Sequence, residues 1–506
     1  MTPQCSRRDF IKKASAGALA ACCSRFGDAT TMPFPGQYQP TWDSLSQYRV
    51  PDWYRDAKFG VFLHWGIYSV PAYLNEWYPR FMYRRESPAF EWHQQHWGPQ
   101  SMFGYKDFIP LFRGEKWRPE EWVELFKQAG ARFIVPVGEH HDGFPMYRSN
   151  LTEWCAARMG PCRDVVGELA QATRDAGLRL GISSHRGFHW SYYTFAEDFD
   201  TNNPAYAGLY GPIHAPMPLV SDKKGELRQK ASPEFLQDWF ARSIEIVDSY
   251  RPDLFYFDFA MEAPEFEPYR RQFAAYFYNR AIDWNGEPVL TYKHDSYPEG
   301  TAVLDIERGL LAGIRSLPWQ TDTSVSWKSW GYIQNDSYKS GADIVHELAD
   351  IVSKNGTLLL NVGPRPDGTI PEAAQAVFRE IGRWLEINGE AIYGTRPWKV
   401  YGEGPTHLSS GSFGEEKAKG QVFTSEDIRF TTRDDAIYAI VLAWPETSAR
   451  IKSLGKNSGN APARISDVRL LGADAKLNWQ QDTEALVIQA PAEKSGDLAW
   501  AFKISM

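Results

Sequence analysis

Arg251-Pro252-Asp253-Leu254-Phe255-Tyr256-Phe257-Asp258 decides the fold. Leu254 to Asp258 reads as a strand, and it follows a helical stretch from Pro233 to Tyr250. The same strand and helix patterns recur on both sides. Lys58 to His64 is strand-like, and Glu120 to Ala129 is a helix with Trp122, Leu125 and Phe126 on one stripe, stopped by Gly130. Arg132 to Val137 is a buried strand, Arg163 to Ala176 a helix and Leu178 to Ile182 a strand. Pro288 to Tyr292 looks extended. Ala342 to Lys354 is helical, Thr357 to Leu360 is a short apolar strand, and Pro371 to Ile387 is the last helix. Strand-then-helix order implies parallel strands with right-handed crossovers. About eight such units, from about residue 40 to 395, fit a (β/α)8 TIM-like barrel with long insertions. A doubly wound sheet would want a glycine-rich phosphate turn, and the chain has no GxGxxG after a strand and no Walker A motif. Gly402 to Gly420 reads as a boundary. Beyond it only strands and turns follow (Asp427–Thr432, Ala436–Ala443, Ser466–Leu471, Ala485–Gln489, Leu498–Ile504), so 396–506 is expected to be a C-terminal antiparallel β-sandwich.

The composition of the 506 residues is globular, with 43% hydrophobic and 23% charged residues. A net charge of -8 without basic blocks argues against nucleic acid as a partner. No apolar run reaches about 18 residues, so no membrane span is expected. Aromatic residues make up 15% of the chain, which tilts the reading toward sugar rings as ligands, since flat apolar faces suit them. Residues 1–25 read as a leader. Ser6-Arg7-Arg8-Asp9-Phe10-Ile11-Lys12 precedes a small-residue stretch, a twin-arginine (Tat) export pattern that implies a periplasmic protein. Leu19-Ala20-Ala21-Cys22 is lipobox-like and would place a lipid anchor on Cys22; a peptidase site preceded by small residues is the other reading. Outside the leader only Cys155 and Cys162 remain, either a small closed loop or two free thiols.

In a barrel the reacting groups sit at the C-terminal ends of the strands. His64 closes the first strand, Glu139-His140-His141-Asp142-Gly143 the second and Asp258 a later one, and Glu307 follows Ala302-Val303-Leu304. Leu254, Tyr256 and Asp258 share one face of their strand. Phe255 and Phe257 suit the helix side, so Asp258 points along the barrel axis; a helix cap is the alternative role. His140-His141 lacks the one-face spacing of His-x-x-x-His, and no Cys or third His follows at ligand spacing, so neither a metal nor another cofactor is expected.

These segments resemble the α-L-fucosidases of glycoside hydrolase family 29. The resemblance rests on Lys58-Phe59-Gly60-Val61-Phe62-Leu63-His64-Trp65-Gly66 with Glu76-Trp77-Tyr78, on His140-His141-Asp142-Gly143-Phe144, and on Arg163-Asp164-Val165-Val166-Gly167-Glu168-Leu169. It continues through Arg251 to Asp258 and through Asn355-Gly356-Thr357-Leu358-Leu359-Leu360-Asn361-Val362-Gly363-Pro364. All occur in the family's order. The resemblance implies a retaining exo-glycosidase that removes terminal α-L-fucose from glycans without metal. Asp258 matches the nucleophile. Glu307, about a dozen residues before Pro318-Trp319-Gln320, is assigned as acid/base, with Glu262 and Asp305 as rivals and an ion pair with Arg308 as its alternative role. His64, Glu76, Trp77, His140 and His141 match sugar contacts, and Trp330 an aromatic packed on the sugar's methyl group. Lys293 stands where several relatives carry Arg, and His185 follows Ser where some carry Tyr. A sugar-binding barrel without turnover, or a related enzyme such as an α-L-galactosidase, are the competing readings. Linkage preference is expected to depend on the insertion 193–232 and on the loop from Arg80 to Gly104, whose Trp92 and Trp97 either grip the leaving group or belong to the surface.

Overall fold

The computed structural model describes residues 36–214, 219–221 and 227–506. The leader, with the twin arginines and Cys22, lies outside the described residues, as does part of the 193–232 insertion. Eight parallel strands close a barrel in chain order: Phe59–Leu63, Phe133–Glu139, Arg179–Ser184, Leu254–Phe257, Val289–Lys293, Val303–Asp305, Trp319–Ser324 and Gly356–Val362. The first and last pair in register, Gly60 opposite Leu359 and Leu63 opposite Val362.

The strand ending at Asp258 has the expected sidedness. Phe255 and Phe257 turn outward onto Phe273 of the helix Glu267–Asp283, each with ring centroids 4.7 Å away. Tyr256 turns inward, and its hydroxyl donates to Asp322 at 2.9 Å. That outer helix carries no clean apolar stripe, because Arg270, Gln272 and several aromatic rings are buried together, and periodicity alone does not reveal it. Two of the strand-to-strand connections carry no helix. Among the described residues no helix joins the fifth strand to the sixth or the sixth to the seventh. The first connection is too short for a crossover helix, and the second is taken up by the segment that carries Glu307.

The C-terminal strands form a five-stranded and a three-stranded antiparallel sheet. Ile428, Phe430, Ile437 and Phe502 of the larger sheet share one core with Ala449, Ile451, Leu486 and Ile488 of the smaller. The opposite face of the larger sheet joins the barrel core through Tyr438, Ile440 and Ala501. Arg429 of this sheet pairs with Asp350 on the barrel helix Gly341–Ser353 at 2.6 Å, with both groups buried. The strand Arg396–Glu403 already belongs to the larger sheet. Gly402 to Gly420 is therefore not a plain linker between domains: 404–427 leaves the sheet after one strand and returns at the next. No disulfide joins Cys155 to Cys162.

Candidate active site

One cavity of about 320 Å3 opens at the C-terminal ends of the strands. Asp258, Glu307, His64, Glu76, Trp77, His140, His141 and Trp330 all line it, joined by His185, Lys293 and Asp322. Seven barrel strands deliver these groups, so residues separated by more than 240 positions meet in one pocket.

Asp258 follows its strand directly and is 6% exposed. It caps no helix, since the next long one starts at Glu267. Both of its oxygens are occupied. Oδ2 lies 3.2 Å from His141 Nε2 and 3.3 Å from His185 Nδ1, and Oδ1 lies 3.2 Å from Lys293 Nζ. Burial pushes the Asp258 carboxyl up, but the Lys293 charge, then His185 and His141, outweigh it and hold it well below the usual carboxylate range. Lys293 is the hub of the site. Its ammonium also meets Glu307 Oε2 at 3.0 Å and Asp322 Oδ2 at 3.2 Å. Burial disfavours its charge; Asp322, Glu307 and Asp258 more than reverse that and keep it protonated. Two carboxylate oxygens bonded to one nitrogen can be no farther apart than the two contacts laid end to end. Asp258 Oδ1 and Glu307 Oε2 are therefore within about 6 Å of each other.

The rivals to Glu307 are less accessible. Asp305 is 2% exposed below Lys293, where its Oδ1 accepts from Gln320 at 2.7 Å. Burial, then the neighbouring Asp322 charge, raises it well above the carboxylate range. Neither carboxyl lines the cavity at Asp305 or Glu262. Glu262 faces His294 at 3.7 Å, with both oxygens buried. Arg308 bonds Glu415 at 2.5 Å.

His64 Nδ1 is taken by Asn361 Oδ1 at 2.8 Å, which leaves Nε2 for the cavity. Burial lowers the pKa of His64 and His140 well below the usual imidazole value, so both are neutral and can each donate and accept one hydrogen bond. His140 Nδ1 is buried without a hydrogen-bond partner among the described residues. Glu76 accepts from the backbone N–H of Trp330 at 2.9 Å and from Ser329 Oγ at 3.1 Å, so it also fixes the loop that presents Trp330. Nitrogens of His64, His140 and His185 lie within 4.8 Å of one another, and so do ligand atoms of His141, His185 and Asp258. The third ligand that sequence spacing lacks is thus supplied by other strands, and the histidine trio has the donor set of a divalent transition ion. It equally suits a polyhydroxylated ring, since each neutral imidazole pairs with one hydroxyl.

Trp92 and Trp97 stay out of the cavity. Trp92 stacks on Tyr73 at 4.2 Å and Trp97 packs on Phe108 at 4.9 Å; of their loop only Phe81 lines it. Asn75, Asp322, Arg308, Trp327, Lys328, Phe413 and Glu416 line the site and were not foreseen. For Asp322 a signal existed: Gln320-Thr321-Asp322-Thr323-Ser324 is a strand of buried polar residues. An apolar run is the norm there.

A closed parallel barrel with paired carboxylates in a deep, aromatic, imidazole-rich cleft is the architecture of a glycoside hydrolase. An alpha-L-fucosidase family model matches residues 28–390, and a model of the alpha-L-fucosidase C-terminal domain matches residues 422–505. The tissue alpha-L-fucosidase of Rattus norvegicus is 31% identical over 93% of this chain and 93% of its own. The structure of Thermotoga maritima alpha-fucosidase with a mechanism-based inhibitor superposes with a TM-score of 0.74 at 29% identity, covering 93% of this chain and 100% of that one. Its complex with fucose gives 0.72 at 30% identity, covering 92% and 100%. The chain belongs to the alpha-L-fucosidase family. No helix among the described residues is long and apolar enough to cross a membrane.

Proposed function

We propose that the protein is a retaining α-L-fucosidase in which Asp258 is the nucleophile and Glu307 the acid/base. One observation carries this reading: both carboxylates contact the Lys293 ammonium, within about 6 Å of each other. That spacing fits direct attack, at roughly 5–5.5 Å, better than the wider gap that admits a water in inverting enzymes. In the first step the ionised Asp258 attacks the anomeric carbon while Glu307 protonates the departing oxygen, giving a glycosyl ester and a free alcohol. In the second, Glu307 takes a proton from water, whose oxygen displaces the ester and restores Asp258.

Lys293 supports the change of role. Before attack its charge is shared between Asp258 and Glu307, and the negative charge on Asp258 favours a proton on Glu307. Esterification removes that charge, and the ammonium then favours the ionised Glu307 that deglycosylation requires. His64, His140, His141 and Glu76 receive the hydroxyls, Trp77 packs on the ring, and Trp330 lies against the methyl group.

The test is hydrolysis of aryl α-L-fucosides, followed by NMR of the first-formed anomer, with the α-L-galactoside as the comparison that reads the methyl contact. Asp258→Ala is expected to remove nearly all turnover, with azide restoring part of it as an inverted glycosyl azide. Near-normal activity of this variant would exclude Asp258, and a silent wild type would leave a binding barrel.

We also propose export to the periplasm through the Arg7-Arg8 signal. Arg7→Lys with Arg8→Lys is expected to hold the precursor in the cytoplasm; unchanged periplasmic recovery would refute this. The N-terminal mass of exported protein reports a lipid on Cys22.

A further inference from the structure

Residues 411–419, on the excursion between two strands of the C-terminal sheet, return to the barrel and form one wall of the cavity. The segment is tied to the loop that carries Glu307 at successive positions. Leu310 and Gly411 exchange backbone hydrogen bonds at 3.3 and 2.7 Å, the N–H of Phe413 donates to the carbonyl of Glu307 at 2.9 Å, and that of Glu415 donates to the carbonyl of Arg308 at 3.2 Å. A Cβ at Gly414 would sit 2.7 Å from the Ser409 carbonyl oxygen and 3.3 Å from Leu310, so the contact leaves no room for a side chain there. Glu415, 3% exposed, bonds Arg308 at 2.5 Å, Lys339 at 2.7 Å and Thr323 Oγ1 at 2.5 Å. Arg308 in turn lies over the Trp330 ring, 4.9 Å from its centroid. A connecting loop has no need of a desolvated ion network, which is costly and serves chiefly to fix one register.

This anchoring leaves Phe413 half-exposed at the rim, with a φ of 56°. A residue with a Cβ is strained in that region, and such strain collects at binding sites. Glu416 is exposed beside it. Beside the segment stand Trp327, over which Lys339 and the segment's own Lys419 place their ammonium groups at 5.1 and 4.8 Å, and the exposed Lys328. Two half-exposed aromatic rings, the Glu416 carboxylate and the Lys328 ammonium therefore line the mouth beside the loop that carries Glu307.

The geometry points to a leaving-group subsite built from the 411–419 segment. Phe413 and Trp327 pack against the hydrogen-lined face of the first sugar beyond the scissile bond, and Glu416 and Lys328 bind its hydroxyls. The ligand class is a pyranose of a fucosylated glycan, and Glu415 is the positioning residue that holds the wall against Glu307. This rests on the reading of Glu307 as proton donor.

The experiment compares α-L-fucosyl fluoride, whose leaving group occupies no subsite and needs no acid, with a fucosylated disaccharide. Phe413→Ala and Glu416→Ala are expected to lower kcat/KM on the disaccharide roughly tenfold each. Fluoride turnover and inhibition by free L-fucose should stay within about twofold, which also shows that the variants fold. Glu415→Gln should lower kcat/KM on the disaccharide more than on the fluoride. Disaccharide rates within about twofold of wild type would overturn the subsite, as would equal losses on both substrates together with weaker fucose inhibition. A wild type inert toward the fluoride would instead overturn the underlying glycosidase reading.

Discussion

Replacing Lys293 by methionine keeps an unbranched apolar stem and removes the one charge that Asp258, Glu307 and Asp322 share. Each contact lies at 3.0–3.2 Å. At an effective dielectric of about 20 a single such contact amounts to about 5 kcal/mol before desolvation is counted. Removing one partner of a buried ion pair typically costs about 3–5 kcal/mol in all. If about 3 kcal/mol falls on ionising Asp258, its pKa rises by roughly two units. The sign follows from the direction of the shift. Asp258 is held well below 3.8, and the nucleophile works only when ionised, so in the wild type its limb of the pH profile lies on the far acid side. In Lys293→Met that limb moves up, and activity is lost as pH falls through the higher value. The readout is kcat/KM for α-L-fucosyl fluoride from about pH 4 to 8, which reports groups of the free enzyme. A two-unit rise from below 3.8 leaves Asp258 ionised at neutral pH, so the loss is confined to the acid side of the profile. Lys293→Arg, which keeps the charge but not its shape, should leave the acid limb nearly in place and lower only the rate. An unmoved acid limb in Lys293→Met, with turnover within about threefold of wild type, would show that His141 and His185 suffice and that the hub is structural.

Glu307→Ala should lose far more activity on unactivated disaccharides than on fluoride or activated aryl leaving groups, since only the former need a proton; equal losses in steady-state kinetics would move the role to another carboxyl. Chelators should leave turnover unchanged, because two carboxyl groups suffice for double displacement. Added Zn2+ should instead inhibit in competition with L-fucose through His64, His140 and His185, and loss of activity in chelator followed by recovery with metal would contradict the mechanism.

The strands and most long helices were legible because each depends on local periodicity and its stop signals. Pro233–Tyr250 and its following strand lie where the pattern places them. The sidedness of Phe255 and Phe257 against Tyr256 was equally readable, since alternation along a strand is a two-residue property. Glu267–Asp283 was not, because its buried face mixes rings with Arg270 and Gln272. The loop of Trp92 and Trp97 left two readings open for a related reason: a tryptophan in a polar loop is either a ligand platform or a packing residue until its partners are known.

From the chain alone came the barrel, its C-terminal sheets and a short set of polar groups at strand ends, all consequences of pattern within some ten residues. What tertiary structure decided was proximity. Lys293 as shared counter-charge, a histidine trio drawn from three strands, and a wall contributed by residues 411–419 arise because closing the barrel brings distant segments within hydrogen-bond range. No local sequence signal encodes a contact made across hundreds of residues, since such a contact is fixed by the packing of everything between.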